Sequence, residues 1–109
     1  MNNRDVSVLI FHDKDKILLQ KRSLTAKRFP GTWGLFGGGI EANEDPEAGL
    51  KREIKEELGV ELNNVRLVYS LKYSLDSHNE KGNIFVFSSA YNNQSLCLNE
   101  GDELSLIHI

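Results

Sequence analysis

Residues 38–60, GGIEANEDPEAGLKREIKEELGV, set a dense acidic segment directly behind a glycine run and thread an apolar row through it at helical spacing. No other stretch constrains the fold as tightly. At 3.6 residues per turn, Leu50, Ile54 and Leu58 fall within about 80° of one another, the width of a stripe that packs on a sheet. Asp45 followed by Pro46 offers a capping side chain and a proline at the first helical position, and Gly59 is a suitable stop. The spacing predicts one helix over residues 46–58.

Glu53, Glu56 and Glu57 lie on a different face of that helix, within about 100° of arc. Three carboxylates so placed repel one another unless cations sit among them. The ordinary fate of a charge run is a solvated face, here paired with Lys51, Arg52 and Lys55. The surrounding residues favour the other outcome. Gly38 and Gly39 permit close backbone approach, so the carbonyls of this loop, that of Gly38 in particular, can turn towards the same ions. Carboxylate and carbonyl oxygens suit Mg²⁺, with Mn²⁺ as the alternative.

The fixed positions read Gly38, five residues, Glu44, seven residues, then Arg52, Glu53, Ile54, Lys55, Glu56, Glu57, Leu58, Gly59 and Val60. Every one fits the signature of the Nudix hydrolases, and the chain resembles that family. A chance match of the seven non-apolar positions has odds on the order of one in a billion per starting point. The resemblance implies an α/β/α sandwich with a curved mixed sheet. It also implies that Glu53, Glu56 and Glu57 are metal ligands, with Glu44 and Arg52 orienting them; a surface ion pair is the plainer use of those two. Glu100 or Glu103 is a further candidate for proton abstraction or metal contact. Gly49 stands where the family more often has Ala, at a cost of up to about 1 kcal/mol to the helix.

What the resemblance implies for chemistry is Mg²⁺-dependent hydrolysis of a phosphoanhydride bond in a nucleoside diphosphate linked to another moiety. The stretches QKRS and FPGTWGLFGGGIE resemble those of nucleotide-cleaving members, including sanitising enzymes for oxidised purine nucleotides. Arg22, Trp33, Phe36, Gly38 and Gly39 are the expected substrate-binding residues. Phe29, Tyr69 and Tyr73 are further stacking surfaces, and Lys21, Lys27 and Arg28 further phosphate partners; core packing competes for the aromatic residues. Two other readings are a non-catalytic nucleotide sensor, for which lost motif glutamates would be the sign although all are present, and an inactive fragment.

Around the helix, residues 5–11 and 16–22 read as an antiparallel hairpin with 12–15 as its turn, and residues 32–36 as a short aromatic strand before the glycines. Residues 65–75 and 83–91 read as two more strands joined by the polar stretch 76–82. Strands before and after one amphipathic helix indicate a mixed-sheet α/β domain, a single one over residues 1–109. The second helix usual in the family is missing from this pattern, which points to truncation. Residues 104–109, LSLIHI, resemble a translated sequencing adapter and are expected to be non-native.

A net charge of −3, with Lys and Arg scattered, argues against polymeric nucleic acid. No apolar stretch approaches a membrane span, and the N-terminal apolar run is too short for a signal peptide, so a cytoplasmic location is expected. The expected partner is a small-molecule nucleotide diphosphate derivative, with a homodimer as the assembly allowed for. Cys97 is expected to be a small buried hydrophobe, and His12, His78 and His108 receive no role.

Overall fold

The computed structural model describes residues 2–26, 28–91 and 103–108. Its strands are β1 (Asn2–Asn3), β2 (Val6–Asp13), β3 (Lys16–Lys21), β4 (Trp33–Gly34), β5 (Phe36–Gly39), β6 (Arg66–Leu75), β7 (Glu80–Ala90) and β8 (Glu103–His108). The helix α1 spans Pro46–Leu58, as its capping residues predict: the Asp45 side chain accepts from the Ala48 amide, and the left-handed Gly59 returns its N–H to the Lys55 carbonyl. All eight strands join one mixed sheet. β2 is its hub, parallel to β7 on one edge and antiparallel to β5 and β3 on the other. β6 runs antiparallel to β7.

Side-chain alternation gives the sheet two different faces. Ser7, Leu9 and Phe11 of β2 are buried on one side, where the Ser7 hydroxyl donates to the Pro46 carbonyl at 2.7 Å and so marks the face that carries α1. Leu50, Ile54 and Leu58 are wholly buried there with Leu9, Phe11, Phe36 and Phe87. Each such side chain contributes roughly 1.5–3 kcal/mol by leaving water. Val6 and Val8 point to the other face, where no helix packs among the described residues and a cavity opens.

Several boundaries differ from the sequence reading. β2 continues through His12 and Asp13, so the hairpin turn shrinks to Lys14 and Asp15, with Lys14 in the left-handed region. The aromatic strand is broken at Leu35, and the glycines expected as a loop are themselves paired: Gly39 opposite Val6, Gly38 opposite Ser7, Gly37 opposite Val8. Gly37 is the residue that backbone packing demands, because a Cβ there would lie 2.1 Å from the Ser7 carbonyl oxygen at a φ of 144°. β7 begins at Glu80, inside the stretch read as a connection; a single 3₁₀ turn at Asp76–His78 closes the hairpin.

The closing segment, expected to be foreign, has its backbone paired with the full length of β3, from Lys16 opposite His108 to Lys21 opposite Glu103. Among the described residues α1 is the sole α-helix, and no helix is long and apolar enough to cross a membrane. Cys97 lies outside the described residues.

Candidate active site

The acidic helix and the glycine strand meet edge on. Glu57, only 2% exposed, accepts hydrogen bonds from the Gln20 side-chain amide at 3.1 Å and from the Gly37 backbone amide at 3.3 Å. Glu53 lies so close to Gly38 that an added Cβ would stand 2.6 Å from its carboxyl carbon. Glu56 is more than half exposed and approaches Arg52 at 3.5 Å. The three carboxylates expected to gather are thus distributed: Glu53 and Glu57 rest on β5, while Glu56 stands off towards solvent. Among the described residues no three His, Cys, Asp or Glu side chains converge on one point as a ready ion cage. The cause is visible in the helix itself, where Glu56 lies on the far side of Glu53 from Glu57 and is drawn to a guanidinium.

Arg52 organises the carboxylates. It grips Glu44 through two nitrogens at 2.7 and 3.0 Å, donates to the Gly39 carbonyl at 3.0 Å, and reaches Glu53 at 3.0 Å. The Arg52 hydrogen bonds and a further one from the Glu41 amide hold Glu44 ionised, down to a pKa of about 2, and Glu44 in turn pushes Arg52 up. Gly49 lies beneath this pair: a Cβ there would be 3.2 Å from a Glu44 oxygen, so the glycine gives Glu44 its place.

Beside β5 the cavity, about 380 Å³, is bordered by Gly37, Gly38, Gly39, Glu53 and Glu57, with Arg4 against Gly39, and further by Arg22, Arg28, Phe29, Tyr73 and Glu80. Its floor is the sheet face of Val6, Val8 and Ile84. At the far wall Arg28 makes a bidentate ion pair with Glu80 at 2.9 and 2.7 Å, and the Tyr73 hydroxyl approaches both Glu80 at 2.8 Å and the Arg4 carbonyl at 2.7 Å. The Arg28 hydrogen bonds hold the Glu80 carboxyl below its ordinary range, while burial, followed by the Glu80 contact, pushes Tyr73 up.

Of the residues expected at a substrate site, Arg22, Gly38 and Gly39 line this cavity, and so do Arg28, Phe29 and Tyr73. Phe36 does not. It is fully buried on the helix face opposite Leu9, because the strand period that turns Gly37 and Gly39 to the cavity turns Phe36 into the core. Trp33 and Tyr69 are exposed and stand outside the cavity lining, and Lys21 pairs with Trp33 between β3 and β4. Lys27 and Glu100 lie outside the described residues; of Glu103 only the backbone, in β8, is described. Sequence reasoning missed Arg4, Gln20 and Glu80. A buried polar residue in the apolar run KILLQK was the one available signal for Gln20; Arg4 and Glu80 come to the cavity only through strand pairing.

The donor set fits a divalent cation: hard oxygens from Glu53 and Glu57, the Gly38 backbone, and a side-chain-free approach that any Cβ at Gly38 would fill. A family profile described as the NUDIX domain matches residues 1–107. A nucleoside triphosphatase NudI from Enterobacter sp. (strain 638) is 42% identical over 62 residues, 57% of this chain and 44% of that protein, so the match spans less than half the curated relative's length. Among solved structures, a MutT NUDIX hydrolase from Burkholderia pseudomallei superposes with a TM-score of 0.85 at 24% identity, over 99% of this chain and 84% of that one. The NUDIX domain of Shewanella oneidensis NrtR, solved with ADP ribose, superposes with a TM-score of 0.73 at 21% identity, over 99% and 73%. At these identities the structural matches speak for the fold.

Proposed function

The chain belongs to the NUDIX family, and from that premise we propose that it hydrolyses a phosphoanhydride bond in a nucleoside diphosphate linked to another group, with Mg²⁺ or alternatively Mn²⁺ held at Glu53, Glu56, Glu57 and the Gly38 carbonyl. The observation that carries the reading is the meeting of Glu53 and Glu57 with the bare backbone of Gly38 and Gly37 at the rim of a cavity that Arg4, Arg22 and Arg28 also line. The carboxylates serve cations, and the guanidinium groups serve phosphate oxygens.

Bound there, a divalent cation supplies charge neutralisation and a more acidic attacking water. The protein's own residues do the rest. Gln20 and the Gly37 amide fix the Glu57 carboxylate, and Arg52 fixes Glu53 while tying α1 to β5 through the Gly39 carbonyl. The Arg52–Glu44 pair keeps that tie rigid, in the manner of groups that orient ligating carboxylates. Arg22, whose Nε donates to the Arg28 carbonyl at 2.6 Å, lines the same cavity and would offer its other nitrogens to an anionic guest.

Nucleoside triphosphates, oxidised purine nucleotides and ADP-ribose-like compounds are the substrates to try first, given the named activity of the NudI relative and the ligand of the NrtR domain. A screen of such nucleotides with Mg²⁺, read by released phosphate or pyrophosphate in wild type and Glu57→Gln, tests the proposal. Turnover of none of them by the wild-type chain would sink it.

A further inference from the structure

Arg4, Val6 and Val8 follow the two-residue period of a strand, and all three line the cavity. The backbone of Arg4 is held from two sides: its N–H donates to the Lys81 carbonyl at 2.7 Å, and its carbonyl accepts from the Tyr73 hydroxyl at 2.7 Å. Gly82 lies so near that a Cβ there would stand 2.0 Å from the Arg4 oxygen. So firm a seat for a residue just outside β2 fixes where its side chain starts. The guanidinium then lies against Gly39, where a Cβ would come within 3.2 Å of both Nε and Nη2.

Two successive glycines therefore separate opposite charges. The bare side of Gly38 faces the Glu53 carboxylate, and the bare side of Gly39 faces the Arg4 guanidinium. Glu80, the buried carboxylate on the Arg4 side, is already engaged by both terminal nitrogens of Arg28, so charge balance there does not require Arg4. An arginine presented over a glycine backbone at a cavity rim offers a planar fork of donors, matched to the oxygens of a phosphate.

We propose that Arg4 is a substrate-binding residue, taking a phosphate group of the nucleotide on the side of β5 opposite Glu53 and Glu57, so that the diphosphate lies across the glycine strand. The proposal rests on reading the cavity as the nucleotide site, and it adds a residue that the helix motif does not contain. An arginine in this role governs affinity and leaves the chemical step to the carboxylate side.

The test is titration calorimetry of the full chain with inorganic pyrophosphate in EDTA. Arg4→Ala weakens binding by roughly tenfold or more and Arg4→Lys falls between it and wild type, whereas Lys51→Ala, which removes an exposed positive charge from the far side of α1, keeps wild-type affinity. In steady-state hydrolysis with Mg²⁺ the same Arg4 variants raise KM by a similar factor while kcat stays within about threefold. Equal pyrophosphate affinity in wild type and Arg4→Ala, or no binding by wild type, overturns the inference. Should circular dichroism show Arg4→Ala unfolded, Arg4→Gln, which keeps a polar side chain but removes the charged fork, gives the same decision. Absence of hydrolysis by the wild type would sink the proposed function and still leave the pyrophosphate titration to decide Arg4.

Discussion

Gly38 and Glu53 keep their places only because one of them has no side chain: an ideal Cβ on Gly38 would stand 2.6 Å from the Glu53 carboxyl carbon and 2.7 and 2.8 Å from its oxygens. The atoms in the way are the end of a flexible side chain, so Gly38→Ala is accommodated by moving the carboxylate, at little cost to the fold. Displacement of a reacting group by about 1 Å is enough to cost 10²-fold in rate. We expect Gly38→Ala to lose about 10²-fold in kcat with Tm changed by less than about 4 °C. Wild-type turnover in this variant would remove the glycine–carboxylate contact from the mechanism.

Glu56 and Glu57 separate activity from stability. Glu56 is more than half exposed, so Glu56→Gln should lower turnover by orders of magnitude with no measurable change in Tm. Glu57 is buried and accepts from two donors, Gln20 and the Gly37 amide. In Glu57→Gln one amide nitrogen must face a donor, which costs roughly 1–3 kcal/mol of stability on top of the lost turnover. Urea denaturation beside steady-state rates distinguishes the two variants; equal stability of both would mean that the Glu57 contacts are slack.

These two variants also show how far the residues alone could be read. Helix α1 was legible to the residue, because Asp45, Pro46 and Gly59 each act through their own backbone and need no distant partner. The buried stripe of Leu50, Ile54 and Leu58 followed from period alone. The glycine segment reads as a loop because its strand character comes from pairing with β2, about thirty residues away in sequence, and an isolated GGG carries no strand signal. For the same reason Phe36 went to the core and Arg4 came to the cavity: which face a strand residue takes depends on register, which the chain sets only on folding. The arc that groups Glu53, Glu56 and Glu57 was correct as geometry, and the competing pull of Arg52 on Glu56 is the i,i+4 pairing that the same helical wheel allows, so the wheel alone could not decide between the two.

Removal of divalent cations tests the oxygen cradle apart from the nucleotide. With EDTA, turnover should vanish and return on adding excess Mg²⁺. Because an ion that binds only the folded chain stabilises it by mass action, saturating Mg²⁺ should also raise Tm, by an amount equivalent to about 2.7 kcal/mol at a hundredfold excess over Kd. In Glu57→Gln the Mg²⁺-dependent part of that rise should be largely lost. A wild-type chain whose Tm and rate ignore EDTA would contradict the assignment of Glu53 and Glu57 as ligands.

The far wall of the cavity predicts a pH dependence. Glu80 is held below its ordinary pKa of 4.5, first by the Arg28 hydrogen bonds, so the folded state keeps it ionised more readily than the unfolded chain does. A depressed carboxylate contributes stability that is complete above the unfolded value and is lost as pH falls through the folded one. Glu80→Gln should therefore be less stable than wild type at pH 7, and the gap between them should close as pH drops below 4.5. Glu44, held at about 2 by Arg52, titrates in the same acid range but does so in both proteins, so the difference between the two curves isolates Glu80. Tyr73 runs the other way: its pKa is raised above 10.0, chiefly by burial and then by Glu80, and the stability it contributes is lost only as pH climbs past that value. Urea midpoints of wild type and Glu80→Gln from pH 7 down to about 3 decide the matter, since a gap that stays constant across that range means the Arg28–Glu80 pair is not what holds this wall together.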